Sequence, residues 1–156
     1  MDGQAFAKMF EFSYMALKRN LEGITHEESL HAPDEGGNSL NWVLGHLLNY
    51  RNTILKLLGK PPAWDSPQAA RYARGSAPLG PDEEPVPFET LRAELDRSQG
   101  LLVEALRACT AEDLAAPAEN GDPLATRLGI YGYHEGYHSG QIGLLRRLAG
   151  HTGAIK

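Results

Sequence analysis

Two histidines near the C-terminal end of the chain have the spacing of a metal-chelating pair. His134 and His138 are four residues apart, and at this spacing two helical residues differ by about 40° in direction and about 6 Å in height. Both imidazoles therefore reach one point beside the helix, as in the His pairs that bind zinc from a single helix. They also occupy positions where a core helix would normally carry leucine. Two buried imidazoles are costly unless their nitrogens find partners, and a metal ion would supply them.

A third ligand is expected from a facing helix, and His46 is the candidate. It lies in the apolar segment 41–48, which reads Asn-Trp-Val-Leu-Gly-His-Leu-Leu, and the adjacent Gly45 is expected to permit close helix contact. One histidine in such a segment is weak evidence, but polar Asn49 and Gln141 also lie one turn away on the ligand-bearing faces. We therefore predict one divalent metal ion bound by three imidazoles. Three protein ligands leave a coordination position for water or substrate, as in catalytic zinc sites.

The five residues from His134 to His138 also match the zinc-protease motif H-E-x-x-H. The match does not continue, because Gln141 and Leu144 occupy the positions of the glycine and histidine of the extended motif. The other protease form needs an acidic ligand downstream, and no Asp or Glu follows Glu135. A protease is therefore disfavoured.

A second competing interpretation pairs Glu135-x-x-His138 with Glu28-x-x-His31, which resembles the repeated motif of di-iron carboxylate bundles. That interpretation needs the second motif inside a long helix, but Pro33 and the following glycines interrupt the chain there. It also leaves His134 without a role, so a di-iron site is disfavoured.

Four stretches with helical periodicity, separated by Gly and Pro clusters, must position these residues. The predicted helices run from about Gln4 to Asn20, from Asn38 or Ser39 to Leu58, from about Pro87 to about Cys109, and from about Leu124 to about Leu148. Short capped turns are predicted at Thr25 and Thr110. Residues 60–87 are rich in Pro, Gly, Ala and Ser, and are long enough to cross a bundle from end to end. We predict an all-α four-helix bundle, one domain over residues 1–156, with a long crossover between its second and third helices.

The fourth predicted helix presents an inward-facing row at alternating spacings of three and four. Its members are Tyr131, His134, His138, Gln141, Leu145 and Leu148. Gln141 and Asn49 are predicted to contact either the ligands or a substrate. Tyr50, Tyr131, Tyr133 and Tyr137 fall near the same place and are expected to pack there, with a substrate contact, by Tyr50 above all, as the alternative.

Other polar residues receive plainer interpretations. Arg51 is expected to be solvated or in a surface ion pair, with binding of an anionic substrate as the alternative. Glu135 lies about 100° from each flanking histidine and is not expected to act as a general base. Cys109 is expected to be a small apolar residue at a helix end, and His26, His31 and His151 are expected to be exposed to solvent.

The composition excludes several classes of protein. The 156 residues carry a formal charge of −5, with no concentrated basic face of the kind that binds nucleic acid. A single cysteine cannot form an internal disulfide. The N-terminus resembles an amphipathic helix rather than a signal peptide, and no apolar stretch approaches the roughly 20 residues of a membrane span. A cytoplasmic protein without a membrane or nucleic-acid partner is expected.

Two segments resemble the signature stretches of the DinB/YfiT-like superfamily. These are residues 41–47, with Trp-x-x-x-His, and residues 134–146, with His-x-x-x-His-x-Gly-Gln-Ile. The four-helix pattern resembles that family over nearly the whole chain. The resemblance implies a nickel or zinc ion, sometimes iron or manganese, bound through His46, His134 and His138, and a homodimer. It also implies the activities found in the family, which include S-transferases and isomerases that use bacillithiol, mycothiol or glutathione, and proposed metal-dependent hydrolases.

Taken together, these observations favour a metal-dependent enzyme that acts on a small molecule. The expected reaction is S-transfer with a low-molecular-weight thiol as co-substrate, or hydrolysis, because a bound ion makes a nucleophile from a thiol or water near neutral pH. The alternative is a non-catalytic metal-binding or stress-response dimer.

Overall fold

The computed structural model describes residues 1–34, 36–80 and 83–155. Its helices are α1 (Gly3–Leu21), α2 (His26–Leu30), α3 (Leu40–Leu57), α4 (Phe88–Ala108), α5 (Ala111–Ala115) and α6 (Leu124–Leu148), with a 3₁₀ turn at Ala69–Tyr72. The described residues contain no β-strand, only an isolated bridge between Pro117 and Pro123. The all-helical fold is as predicted, and the four long helices begin and end within two residues of the expected positions.

Local signals in the sequence account for these boundaries. The Ser39 side chain accepts a hydrogen bond from the Trp42 backbone N–H and so caps the start of α3. Thr25 and Thr110 each form a capping box with the acidic residue three positions later. Gly59 follows α3 with a φ of +68°, in the left-handed region that glycine adopts without strain.

The four long helices form a ring in which α1 and α3 each pack against both α4 and α6. Helices α3 and α4 run parallel, because Asn41 contacts the carbonyl of Val86 while Arg51 contacts that of Leu95. Two consecutive parallel helices require the chain to return along the bundle between them. The connection over residues 58–87 therefore crosses the bundle from end to end, as the sequence predicts.

Apolar side chains fill the bundle in two adjacent clusters. One includes Leu17, Leu44, Leu48, Phe88 and Leu91, and the other includes Phe6, Phe10, Ile54, Leu102 and Leu128. The crossing connection contributes to both clusters, since Trp64 and Tyr72 are buried in the first and Ala63 in the second. These three residues of the connection are thus part of the packed core.

The inward row predicted on α6 is correct except at its end. Leu148 is 61% exposed, whereas Tyr131, His138 and Leu145 are buried. A row spaced at three and four drifts by about 20° per heptad around a straight helix. By Leu148, fourteen residues after His134, it has turned about 40° toward solvent.

Within the described residues, no helix is both long and apolar enough to cross a membrane.

Candidate metal centre

The three predicted histidines lie together between α3 and α6. Their candidate ligand nitrogens are all within 4.8 Å of one another. The ring centroid of His46 is 5.3 Å from that of His134 and 4.9 Å from that of His138, and the two α6 rings are 4.4 Å apart. Helix α3 thus supplies one imidazole and α6 two, and the expected convergence is observed.

Hydrogen bonds determine which nitrogen of two rings is free. Nδ1 of His46 lies 2.9 Å from the backbone carbonyl oxygen of Tyr72, and Nδ1 of His138 lies 2.6 Å from Oε1 of Gln141. Both oxygens are acceptors, so each Nδ1 carries the proton and donates. Nε2 of His46 and Nε2 of His138 are therefore left with lone pairs, in the tautomer that a metal ligand needs.

The remaining ring, His134, has polar atoms without sufficient partners. Its Nε2 lies 3.0 Å from Nε2 of His138, so two ring nitrogens face each other at one point. Its Nδ1 is buried without a hydrogen-bond partner among the described residues. Tyr50 stacks on the ring, with centroids 3.6 Å apart. The free Nε2 atoms of His46 and His138, with Nε2 of His134 beside them, fit a cation that accepts a lone pair from each of the three imidazoles.

Burial also favours the neutral, metal-binding form of each ring. Desolvation lowers the pKa of His46 and of His138 below its ordinary value of 6.5. Desolvation, followed by the charged forms of the two neighbouring imidazoles, lowers the pKa of His134 to about 4. All three histidines are therefore neutral at pH 7, with lone pairs free to bind an ion.

Glu135, the acidic residue of the protease-like motif, points away from this cluster. Its two carboxylate oxygens accept hydrogen bonds from Nε and Nη2 of Arg51 at 3.0 and 2.7 Å. The pair is buried, with Arg51 0% and Glu135 2% exposed. Within the described part of the chain, no carboxylate or thiol joins the three histidines. A bound ion would keep an open coordination position.

The expectation that Arg51 is solvated or in a surface ion pair is therefore wrong. Its guanidinium lies in the bundle core, where Nη1 also donates to Ser98 Oγ and to the Leu95 carbonyl. Since its partners come from α4 and α6, far away in sequence, no local pattern around Arg51 indicates burial.

A cleft of about 670 Å³ opens beside the three histidines. Besides them it is lined by Asn38, Trp42, Tyr50, Arg74, Gly75, Arg127, Ile130, Tyr131, Tyr133, Tyr137 and Gln141. This volume is typical of small-molecule sites. The open side of the histidine cluster thus faces a space that accommodates a substrate.

The other predicted site residues have different outcomes. Gln141 contacts His138, and Tyr50 stacks on His134, so both lie where a ligand or substrate contact was expected. Asn49 instead donates to the carbonyl of Ala69 in the crossing connection. Asn49 therefore anchors the segment that covers the site.

Tyr72 is a site residue that the sequence did not reveal. Its carbonyl orients His46, and its buried hydroxyl donates to Asn41 and accepts from the Val86 backbone N–H. Its ring packs directly on Gly45, where an added Cβ would lie 2.6 Å from Tyr72 Cγ. The small residue at position 45 thus admits this aromatic ring, rather than another helix as expected. The sequence signal that could have indicated Tyr72 was an aromatic residue within a connection otherwise rich in Pro and Gly.

The remaining histidines lie outside the cluster. His26 and His31 are exposed as expected, but His151 is partly buried and lies 3.1 Å from Glu28. Glu28 also accepts from the Thr25 backbone N–H as part of the α2 cap. The proposed partners of a di-iron site, Glu28 and His31, thus have other surroundings.

Cys109 follows α4 directly and is half-buried, with its thiol 3.5 Å from the Ala105 carbonyl. Burial raises the pKa of this thiol. A raised pKa disfavours the reactive thiolate, in agreement with a packing role.

Comparison with known protein families gives one match that spans most of the chain. The family model described as the DinB superfamily matches residues 9–142. The chain belongs to the DinB superfamily. The match includes the whole first signature segment, the second up to residue 142, and all three histidines of the cluster, and it confirms the resemblance found in the sequence.

Among solved structures, this DinB protein is similar to the crystal structure of a conserved protein from Enterococcus faecalis. The two share 19% sequence identity with a TM-score of 0.73, over 96% of this chain and 98% of the other. That likeness establishes the fold. No curated protein matches the chain.

Proposed function

We propose that this DinB protein binds one divalent transition metal, nickel or zinc, through Nε2 of His46, His134 and His138. We further propose that it is an enzyme acting on a small molecule in the adjacent cleft, by S-transfer with a low-molecular-weight thiol or by hydrolysis. The observation that carries the proposal is the convergence of three neutral imidazoles, in which His46 and His138 use Nδ1 for hydrogen bonds to oxygen and Nε2 of His134 lies beside Nε2 of His138.

When bound, a divalent ion at this point would lower the pKa of a water or thiol and so favour a nucleophile near pH 7. The protein would supply orientation. The Tyr72 carbonyl and Gln141 Oε1 hold two imidazoles in the required tautomer. Trp42 stacks on His46 with ring centroids 4.8 Å apart, and Tyr50 stacks on His134. These two rings pack on the imidazoles and also line the cleft.

The three-histidine site beside an open cleft favours the enzyme over the non-catalytic alternative. A purely structural metal site usually has four protein ligands, whereas a catalytic site keeps one position for water or substrate.

The homodimer implied by the family is part of the proposal. It has support from an exposed apolar row on α6 that comprises Ile130, Tyr133, Tyr137, Leu144 and Leu148.

The decisive test of the metal site is elemental analysis of protein purified without a histidine tag. We expect roughly one nickel or zinc ion per chain, and we expect His134→Ala to lose it because two imidazoles bind much more weakly than three. His31→Ala is the matched control, since His31 is exposed and outside the cluster. Stoichiometric metal in His134→Ala, with helical content unchanged, would refute the ligand assignment.

A second experiment separates the enzyme from the non-catalytic alternative. The bundle core is complete without an ion, so metal removal by a chelator should leave the far-UV helical spectrum intact. Metal-loaded protein is then screened with low-molecular-weight thiols and electrophiles, and with ester and amide substrates, using His134→Ala as the blank. Unfolding on metal removal, or the absence of His134-dependent turnover across the screen, would favour a structural ion.

A further inference from the structure

The cleft beside the histidines has an electrostatic character opposite to that of the whole chain. Two arginines line it, Arg74 from the crossing connection and Arg127 from α6, and none of the described residues that line it is Asp or Glu. The complete chain has a formal charge of −5. Two cations in one cleft of an acidic protein, with no carboxylate among the described lining residues, therefore require an explanation.

The Arg127 guanidinium is held in the cleft by an aromatic residue. Nη2 donates to the Tyr131 hydroxyl at 2.7 Å, and the guanidinium carbon lies 5.1 Å from the centre of the Tyr131 ring. A guanidinium has five N–H donors, and a phenol oxygen accepts few of them. Within the described ranges, Arg127 forms no ion pair, in contrast to surface arginines such as Arg97, which pairs with Glu94.

Arg74 reaches the cleft from the crossing connection, whereas Arg127 reaches it from α6. Arg74 is exposed, and it lines the same cleft as His46 and His134. In the described part of the chain it also has no ion-pair partner. The two arginines thus bring positive charge to the cleft from the connection and from α6, with the histidine cluster in the same cavity.

The rest of the lining suits an apolar group. Trp42, Tyr50, Ile130 and Tyr137 contribute aromatic and aliphatic surface to the same cleft. Arginine binds carboxylate and phosphate oxygens through two parallel hydrogen bonds, and it does so more strongly where aromatic walls exclude water. A ligand that satisfies both parts of this lining combines an oxyanion with an apolar body.

We propose that the cleft binds a small organic acid, whose carboxylate or phosphate group pairs with Arg74 and Arg127 while its apolar part packs on the aromatic lining. The role of this molecule as the substrate rests on the proposed metal-dependent function. The recognition of its anionic group is independent of the metal, because the two arginines are part of the protein itself. The assignment also replaces Arg51, the arginine that the sequence suggested for an anion, because Arg51 is buried with Glu135.

The test is calorimetric titration of metal-free protein with three probes of similar size: phenylacetate, phenyl phosphate and the neutral phenylacetamide. We expect at least one anion to bind about tenfold more tightly than the amide, and to weaken as salt is raised. The comparison of phenylacetate with phenyl phosphate identifies which oxyanion the cleft prefers. Equal binding of the anions and the amide, or no measurable binding of either anion, overturns the inference.

Variants assign the effect to the two arginines. Arg74→Gln and Arg127→Gln should each weaken anion binding about tenfold and leave amide binding unchanged, while Arg127→Lys retains part of the affinity because it keeps the charge. Arg97→Gln is the control, since Arg97 lies on α4 in a surface pair outside the cleft. Native affinity in both glutamine variants overturns the inference.

The same samples separate this inference from the proposed function. The metal content of Arg74→Gln and Arg127→Gln should equal that of the native protein, because neither arginine is a ligand. Protein that binds phenyl phosphate through the arginines but never retains metal would refute the metal site alone. Protein that retains metal but does not distinguish the anions from the amide would refute the anion site alone.

Discussion

At the scale of single residues, the chemistry of the centre depends on which ring nitrogens are free. His46 and His138 each use Nδ1 to donate to an oxygen acceptor, so both present Nε2 to the same point. One of those acceptors is the main-chain carbonyl of Tyr72. The position of that carbonyl depends in turn on how closely the Tyr72 ring approaches Gly45.

Gly45→Ala should therefore damage the site without touching a ligand. The added Cβ would lie 2.6 Å from Tyr72 Cγ, so the ring and its carbonyl must move away from His46. We expect a loss of about 1–3 kcal/mol in the free energy of unfolding from overpacking. We also expect metal affinity to fall about tenfold or more, as for lost partners of metal-bound histidines.

Urea denaturation and a competition assay with a chromophoric chelator would measure the two effects. Gly100→Ala on α4 is the matched control, because nothing lies within 4 Å of a Cβ added there. It should stabilise the helix by about 0.5–1 kcal/mol and leave metal affinity unchanged. A Gly45→Ala variant that behaves like this control would contradict the role assigned to Tyr72.

At the scale of elements, a buried ion pair determines how the two ligand-bearing helices face each other. Arg51 on α3 makes two hydrogen bonds to Glu135 on α6, and it also reaches Ser98 and the Leu95 carbonyl on α4. Glu135 adjoins His134 in sequence. The pair therefore restricts the rotation of α6 relative to α3 immediately beside the metal ligands.

Glu135→Gln should destabilise the bundle strongly, because it leaves the Arg51 charge buried without its counter-ion. A loss of about 3–5 kcal/mol in the free energy of unfolding is expected, measured by urea denaturation. The double variant Arg51→Met/Glu135→Leu removes both charges and should recover much of that loss. Glu119→Gln, which breaks the exposed pair with Lys56, should change stability by about 0–1 kcal/mol. If Glu135→Gln changed the free energy of unfolding as little as Glu119→Gln, the buried ion pair would not contribute to the stability of the bundle.

At the scale of the whole molecule, the centre is a cluster of three neutral imidazoles that the packing of α3 against α6 buries wholly or in part. Burial lowers the pKa of all three histidines, and that of His134 reaches about 4. In the unfolded chain these histidines take up protons with the ordinary pKa of 6.5. In the folded chain they take up protons only at a lower pH. Between those values, acid favours the unfolded state.

The metal-free protein should therefore lose stability as the pH falls from about 6.5 toward 4, and remain constant above about pH 7. The measurement is urea denaturation in the presence of a chelator across that range. His134→Gln should show a flatter profile, because the residue with the largest shift is absent. A native profile that stays level down to pH 5 would mean that the imidazoles are not buried in the folded state.

The all-helical fold and the identity of the three converging histidines followed from the sequence by itself. Both depend on local periodicity, since caps and breakers define the helices, and a spacing of four places His134 and His138 on one side of α6. The long crossover followed as well, because the length and composition of residues 60–87 differ from those of the helices around them.

Only the tertiary structure decided the surroundings of these histidines. Arg51 is buried because Glu135 meets it across the bundle, Gly45 is small because Tyr72 packs on it, and Arg74 and Arg127 share a cleft although 53 residues separate them. Each of these contacts joins residues far apart in the chain. A side chain's partner across the bundle depends on how helices pack and rotate against one another, and no spacing along one segment encodes that geometry.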